Sequence, residues 1–475
     1  MPTLARLGRF LHYPFGTRAF SHPKALLLKW LPFLLIFAIL ALVSLHFRVF
    51  AMDEYTYMNA ADAFSRHDAS LVLEGESGRF YVFPQIVAWS LPYLKDVEFA
   101  GKALNLLFYG VSVFLLYVLA RRLCDEQIAY WGALLYASNP FVIFLSTRVL
   151  TEPLFLLLLI ASIGILERLV RNPNQLNFLI FGAVAAALVF TRFLGLYLFL
   201  IAFLFLWKER RMRLLSSSNM IIASGVFLLL LVVFILGTPS SQGTPLERVL
   251  DFVQAQVNVR QGDLSLPDKI PSYFLLFPFT LAFLTPWLLP YLKKPRELLS
   301  SSLALPSLAV LGVVLSMELY GLFNFRLFRY LVPVIPFLCI LAAHSIVRLS
   351  DRKPRLPFLK NYDWRQVAQK AVLLNVLLGF VLIVGVYAQY EKHAAYAQAG
   401  QFVAANCPST VFSNVPAVVT HYTKRPASYF TDSAPISENC VLKSAYDAWG
   451  FDAFFPKGSY RLLYERQGIS VYGRK

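Results

Sequence analysis

FLIFGAVAAALVFTRFLGLYLFLIAFLFLW, residues 178–207, is an apolar run of 30 residues broken once, at Thr191-Arg192. A helix rises about 1.5 Å per residue, and a hydrocarbon core of about 30 Å is crossed by roughly 20 apolar residues. The run is therefore too long for one upright span. As a single tilted helix it would carry the cluster Lys208, Arg210, Arg211 and Arg213 to the outer side. As two short arms tipped by Arg192 it returns that cluster to the cytoplasm, where membrane proteins concentrate Lys and Arg. Each arm reaches only ~21–23 Å. Arg192 is thus expected to stop inside the membrane, short of the outer surface.

Working outward, runs of spanning length lie near 31–50, 100–119, 129–146, 152–167, 219–236, 273–292, 303–320, 329–347 and 371–389. With the two arms they predict an all-α polytopic membrane protein of about eleven transmembrane helices, N-terminus cytoplasmic and C-terminus extracytoplasmic. The 475 residues are 57% hydrophobic and 15% charged, with a mean hydropathy of +0.58. Soluble domains carry about a quarter charged residues, so a cytosolic enzyme, a coiled coil and a disordered chain are all excluded. A net charge of +17 would elsewhere suggest nucleic acid. Here the cytoplasmic segments hold 23 of the 44 Lys and Arg, against 12 in the external loops of the membrane part and 9 in the tail. The partners implied are membrane lipids, with no nucleic acid. The first run has no small-residue cleavage pattern and reads as a retained span, not a signal peptide. No Asn-x-Ser/Thr sequon occurs, which favours a prokaryotic plasma membrane.

The expected division is a membrane domain over 1–390, with external loops at 51–98 and 237–272, and a small extracytoplasmic α/β module over 391–475. The first loop opens AMDEYTYMNAADAFSRH (51–67), whose helical spacing of Tyr55, Met58 and Ala61 or Asp62 predicts an interfacial helix. The second contains an amphipathic stretch, LERVLDFVQAQVNVR (246–260). The module reads as a helix (392–405), a strand (TVFSN), a helix (VPAVVTHYTKR), a strand (ASYF) and a hairpin YRLLYERQGISVY turned at Gln467-Gly468. Cys407 and Cys440 both lie in it; a disulfide suits that compartment, two buried free thiols being the alternative.

Charges at membrane depth are costly and usually have a partner or a task. Asp53-Glu54 closes the first span, Lys102 opens the second, and Arg148 and Glu152 bracket the turn between the third and fourth. Arg192 tips the hairpin, Glu318 ends the ninth span, and Arg326, Arg329 and Tyr330 precede the tenth. All fall at the expected external side. A transporter needs a midplane site, commonly at an internal repeat, and neither feature is visible. One-sided charges instead suit an enzyme acting on a lipid-linked substrate. For sugar transfer from a lipid phosphate, a carboxylate takes the proton of the acceptor hydroxyl, and Arg or Lys stabilises the departing phosphate. Asp53 is the candidate base, with Glu54 beside it, and Lys102, Arg192, Arg326 and Arg329 are the phosphate candidates. Each has a plainer alternative. Asp53-Glu54 can serve as a helix cap; Arg148 and Glu152, four apart, can pair with each other; Arg192 can pair with Glu152 or Glu318. Lys102, Arg326 and Arg329 can sit at the headgroups. No metal-ligand spacing is present, and no cofactor is expected.

AMDEYTY (51–57), RVLTEP (148–153), LVFTRFLGLYLF (188–199) and FRLFRYLVPVIPF (325–337) together resemble the C-type membrane glycosyltransferase superfamily. FPQIVAWSLPYL (83–94) and GKALNLLFYG (101–110) are similar to the first loop and second span of its protein O-mannosyltransferase and aminoarabinose-transferase group. That group often has a Pro-Pro pair and an Arg where this chain has Phe83-Pro84-Gln85 and Lys102. FRLFRY is also similar to the lipid-glycan mannosyltransferases, without their His-Lys-Glu lead-in. The resemblance implies a polyprenyl-phosphate sugar donor, mannose or another monosaccharide, inverting transfer, and the first-loop Asp53 as base. The acceptor is left open among glycolipid, lipid-linked glycan and protein. The rival functions are a flippase for lipid-linked saccharides and a polymerase or ligase using a diphosphate-linked donor.

Overall fold

The computed structural model describes residues 23–46, 52–67, 82–237, 247, 284, 287–288, 291, 294–300, 302–320, 328–351, 364–387, 390–407, 411–413, 415–425, 427–429, 440–444, 460–466 and 469–474. It is mostly helical, with a small mixed sheet at its C-terminal end.

The helices are α1 (Pro23–His46), α2 (Met52–Arg66), α3 (Val82–Leu94), α4 (Val97–Leu123), α5 (Glu126–Ala137), α6 (Pro140–Ser146), α7 (Glu152–Arg171), α8 (Gln175–Thr191), α9 (Tyr197–Lys208), α10 (Ser218–Leu236), α11 (Ala304–Tyr320), α12 (Ile335–Asp351), α13 (Trp364–Tyr387) and α14 (Tyr390–Asn406). Among the described residues four helical stretches are long and apolar enough to cross a membrane unaided: Val97–Leu123, Glu152–Arg171, Ser218–Leu236 and Leu331–Leu349. The expected run 129–146 is instead two helices, α5 and α6, bent by 58°. The physical cause is local: Asn139 caps α6 by accepting from the amides of Phe141 and Val142, and Pro140 has no N–H to continue α5. The run 273–292 and the loop 237–272 lie almost wholly outside the described residues.

The break at Arg192 is present. Arg192 is extended (φ −156°, ψ 135°) between α8 and a short 3-10 turn, Phe193–Leu196, that leads into α9. Gly195 lies against the end of α8, where an added Cβ would meet the Leu188 carbonyl carbon and the Val189 nitrogen at 2.8 Å. Gly182 allows a similar approach of α8 to α10, since a Cβ added there would collide with the Ala223 carbonyl oxygen. Small residues of this kind let membrane helices pack backbone to backbone.

The C-terminal part holds α14, β1 (Val411–Ser413), α15 (Pro416–Thr423), β2 (Ala427–Tyr429), β3 (Cys440–Ser444), β4 (Tyr460–Arg466) and β5 (Ile469–Arg474). The sheet order is β2-β1-β3-β5-β4. β1 pairs parallel with β2 and β3, whereas β5 pairs antiparallel with β3 and β4. β3 was not foreseen as a strand; the turn Gln467-Gly468 lies outside the described residues. Cys407 and Cys440 form a disulfide joining the end of α14 to the start of β3.

Among the described residues, two apolar cores organise the fold. One fills the helical bundle. The other joins Tyr55, Met58 and Ala61 of α2, Val82 and Phe83 of α3, Val149, Leu154 and Phe190 to Tyr396, Val403, Val418 and Val471 of the C-terminal part. The sheet module therefore shares its core with the first-loop helices and with the ends of the spans.

Candidate functional site

The site is built around the turn Thr147–Thr151, between α6 and α7. Gly101 of α4 faces that turn so closely that a Cβ would lie 2.6 Å from Val149 Cγ1. One turn further along α4, Asn105 donates from Nδ2 to the carbonyls of Arg148 (2.6 Å) and Leu150 (2.8 Å). From the other side Glu54 of α2 accepts from Arg148 Nη2 (2.7 Å) and from the Val149 amide (3.1 Å). Glu54 is 1% exposed and Arg148 7%. The Arg148 guanidinium also lies 5.0 Å from the centroid of the Phe144 ring. A buried carboxylate is tolerable because a cation and a backbone N–H face it.

The same turn continues into Glu152, the first residue of α7, whose carboxylate forms an ion pair with Arg192. Arg192 Nη1 also approaches Thr151 Oγ1 at 3.5 Å. Arg148 and Glu152 thus do not pair with each other, as their spacing allowed. Each takes a partner from a distant part of the chain, Glu54 and Arg192 respectively. Two ion pairs, Glu54–Arg148 and Glu152–Arg192, are thereby held at the two ends of one short turn. Asp53, half-buried in the first turn of α2, adjoins Glu54.

Lys102 is buried on α4, next to Gly101, and its Nζ lies 2.6 Å from Glu98 one turn earlier. Glu318 and Arg329 fall within α11 and within the 3-10 segment Phe328–Val334, as does Tyr330, but their side chains lie outside the described residues, and Arg326 lies outside them altogether. A cleft opens beside the Glu152–Arg192 pair. Its other walls are Phe155, Leu156, Leu194, Val332 and Pro333. It is small, with room for about one water molecule.

On another face of α2 the C-terminal part is docked. α15 packs along α2, with Asn59 Nδ2 donating to the Ala417 carbonyl at 2.8 Å and Lys424 Nζ 2.6 Å from Asp62 Oδ2. The hydroxyls of Tyr55 and Tyr422 are 3.2 Å apart. Burial, followed by the neighbouring Tyr422, holds the Tyr55 phenol well above its ordinary range, so it stays neutral at any working pH. His421 is pushed the other way, down to about 3, by burial and then by Lys424.

Asn105 and Lys424 were not singled out in the sequence. A lone amide inside the apolar run LNLLFYG is a usable signal for Asn105. Lys424, in the polar stretch HYTKRP, carries none.

The Alg9-like mannosyltransferase family model matches residues 12–430. No curated protein matches the chain in sequence. The fold is similar to ArnT from Cupriavidus metallidurans bound to undecaprenyl phosphate, with a TM-score of 0.66, 12% identity, and coverage of 93% of this chain and 97% of that one. For the same protein in the apo state the TM-score is 0.67 at 13% identity, with coverage of 93% and 97%. It is also similar to the Archaeoglobus fulgidus oligosaccharyltransferase in the apo form, with a TM-score of 0.54, 12% identity, and coverage of 86% and 66%. With a family match over most of its length and a multi-pass helical fold of this kind, the chain belongs to the Alg9-like mannosyltransferase family and is a membrane glycosyltransferase of the GT-C class.

Proposed function

We propose that the protein moves a single sugar, mannose by its family, from a polyprenyl-phosphate donor to an acceptor hydroxyl at the external membrane face. The observation that carries this reading is Arg192, a cation held by Glu152 at the break between α8 and α9, beside a small pocket otherwise lined by Phe155, Leu156, Leu194, Val332 and Pro333. A cation in apolar surroundings suits the anionic head of a lipid phosphate. The similarly folded ArnT bound to undecaprenyl phosphate supports that donor class.

In the proposed reaction the Asp53 carboxylate accepts the proton of the acceptor hydroxyl while its oxygen attacks C1 of the sugar. The C1–O bond to phosphate breaks on the opposite face, so the anomeric configuration inverts. Polyprenyl phosphate departs with the electron pair, and a cation at the cleft stabilises its charge. Arg192 is the proposed phosphate contact, with Lys102, Arg326 and Arg329 as further candidates. Glu54 has a positioning role in this scheme, because both of its carboxylate oxygens are already engaged by Arg148 and Val149. The N-terminus is proposed to be cytoplasmic, and the sheet module to lie outside a prokaryotic plasma membrane.

The test is thin-layer analysis of transfer from radiolabelled polyprenyl-phosphate mannose, run beside other monophosphate sugars and diphosphate-linked oligosaccharides. Label should move from the monophosphate donor, with release of polyprenyl phosphate. Turnover of the diphosphate donor alone would overturn the reading, as would movement of intact lipid-linked sugar across vesicles without cleavage.

A further inference from the structure

We infer that α15 of the C-terminal part is a positioning element for the acidic first-loop helix α2, acting through Asn59 and the Asp62–Lys424 pair. The inference rests on the proposed role of Asp53. Three side chains on α2 meet α15: Tyr55, Asn59 and Asp62, at helical positions i, i+4 and i+7. That spacing defines one stripe of the helix. Glu54, on a different azimuth of the same helix, is fixed to Arg148 and Val149 of the bundle. Helix α2 is therefore clamped from two sides by parts of the chain far apart in sequence, and Asp53 in its first turn is held by both.

Lys424 supplies the second observation. It has a left-handed backbone, φ 53°, at the residue closing α15, and its amide donates to the Thr420 carbonyl. Glycine is favoured at such a helix end, because a side chain there is strained. The chain keeps a lysine at this position, and its ammonium group reaches Asp62. The left-handed turn thus presents this lysine to α2. The bond between Asn59 and the Ala417 carbonyl ties the start of α15 to α2, and the ion pair ties its end.

The experiment uses the full chain in detergent or vesicles, with Lys424→Glu, Asp62→Lys, the exchanged pair Asp62→Lys/Lys424→Asp, and Lys424→Gly. Two readouts are taken: hydrogen exchange of the 52–66 segment, and the kcat and donor KM for polyprenyl-phosphate mannose. Charge reversal should raise exchange in 52–66 and lower kcat roughly ten- to a hundred-fold, as expected for a misplaced reacting group, with donor KM within about twofold. The exchanged pair should restore both. Lys424→Gly relieves the backbone strain as it removes the ion pair, so it should lower the melting temperature less than charge reversal does yet lower kcat as much, a combination that a purely stabilising role for Lys424 does not give. Unchanged exchange in 52–66 on charge reversal overturns the inference whatever the activity. Raised exchange with wild-type kcat also overturns it. Wild-type turnover in Asp53→Asn, by contrast, removes the proposed base and leaves the exchange result to decide whether α15 holds α2.

Discussion

A helix turns by about 100° per residue, so Asp53 and Glu54 leave α2 in different directions despite being neighbours. Glu54 points at the Arg148 guanidinium and the Val149 amide and is almost fully buried. Removing one partner of a buried ion pair typically costs about 3–5 kcal/mol, because the other charge is left without compensation. Glu54→Ala should therefore lower the thermal unfolding temperature in detergent and lose activity along with it. Asp53→Asn, which keeps the shape of the side chain, should lower the melting temperature less than Glu54→Ala while cutting transfer by roughly 10²–10⁴-fold, the scale of a lost general base. A matched pair of melting and rate measurements separates the two carboxylates. At the seam, His421 titrates far below its ordinary range, at about 3. Its folded pKa lies below that of the unfolded chain, so its contribution to stability is complete above about pH 6.5. That contribution is lost as the pH falls from there towards 3. His421→Gln should flatten the acid limb of a melting-temperature profile over that window and leave the profile above pH 7 unchanged.

Among the elements, the broken helix pair α8 and α9 carries the most specific demand on sequence. Gly195 has no room for a side chain against the Leu188 and Val189 backbone, and Gly182 has none against Ala223. Overpacking a close contact typically costs about 1–3 kcal/mol. Gly182→Val should thus push α8 away from α10 and lower stability without touching the charged groups. Arg192→Ala acts differently: it leaves the Glu152 carboxylate without its ion-pair partner at the head of α7. Stability should fall, and donor binding should weaken more than in Gly182→Val, as measured by donor KM. If the two variants bind donor equally well, the contact proposed between Arg192 and phosphate is wrong. The bend between α5 and α6 serves the same end of the molecule, since α6 delivers the chain into the turn at Arg148.

In the whole molecule, the second core joins the first-loop helices, the span ends and the sheet module into one body. The Cys407–Cys440 disulfide closes a loop with a sequence separation of 33. Loop-closure entropy for a link of this size is worth about 2–4 kcal/mol. Reduction, or Cys407→Ser/Cys440→Ser, should lower the melting temperature and raise proteolytic sensitivity in the C-terminal part. Because that part is docked on α2, transfer should fall as well. Limited proteolysis with parallel activity measurements checks both.

Composition and apolar run length alone determined the membrane class, because about 20 apolar residues in sequence have few other places to be buried. The break at Arg192, the helix over 52–66 and most of the sheet module were legible for a related reason: each is set by local pattern, whether a charge in an apolar run, helical periodicity or alternation. Positive charge distribution likewise pointed the acidic and basic groups to one end. What the sequence did not determine was who pairs with whom. Arg148 and Glu152 lie four apart and were natural partners, yet Arg148 meets Glu54, 94 positions away, and Glu152 meets Arg192. Nor did it reveal that Lys424 would reach Asp62 across 362 positions. Ion pairs and hydrogen bonds require separations of a few ångströms, and only the packing of distant helices sets those separations. Sequence distributed the charges along the chain; tertiary structure decided their partners.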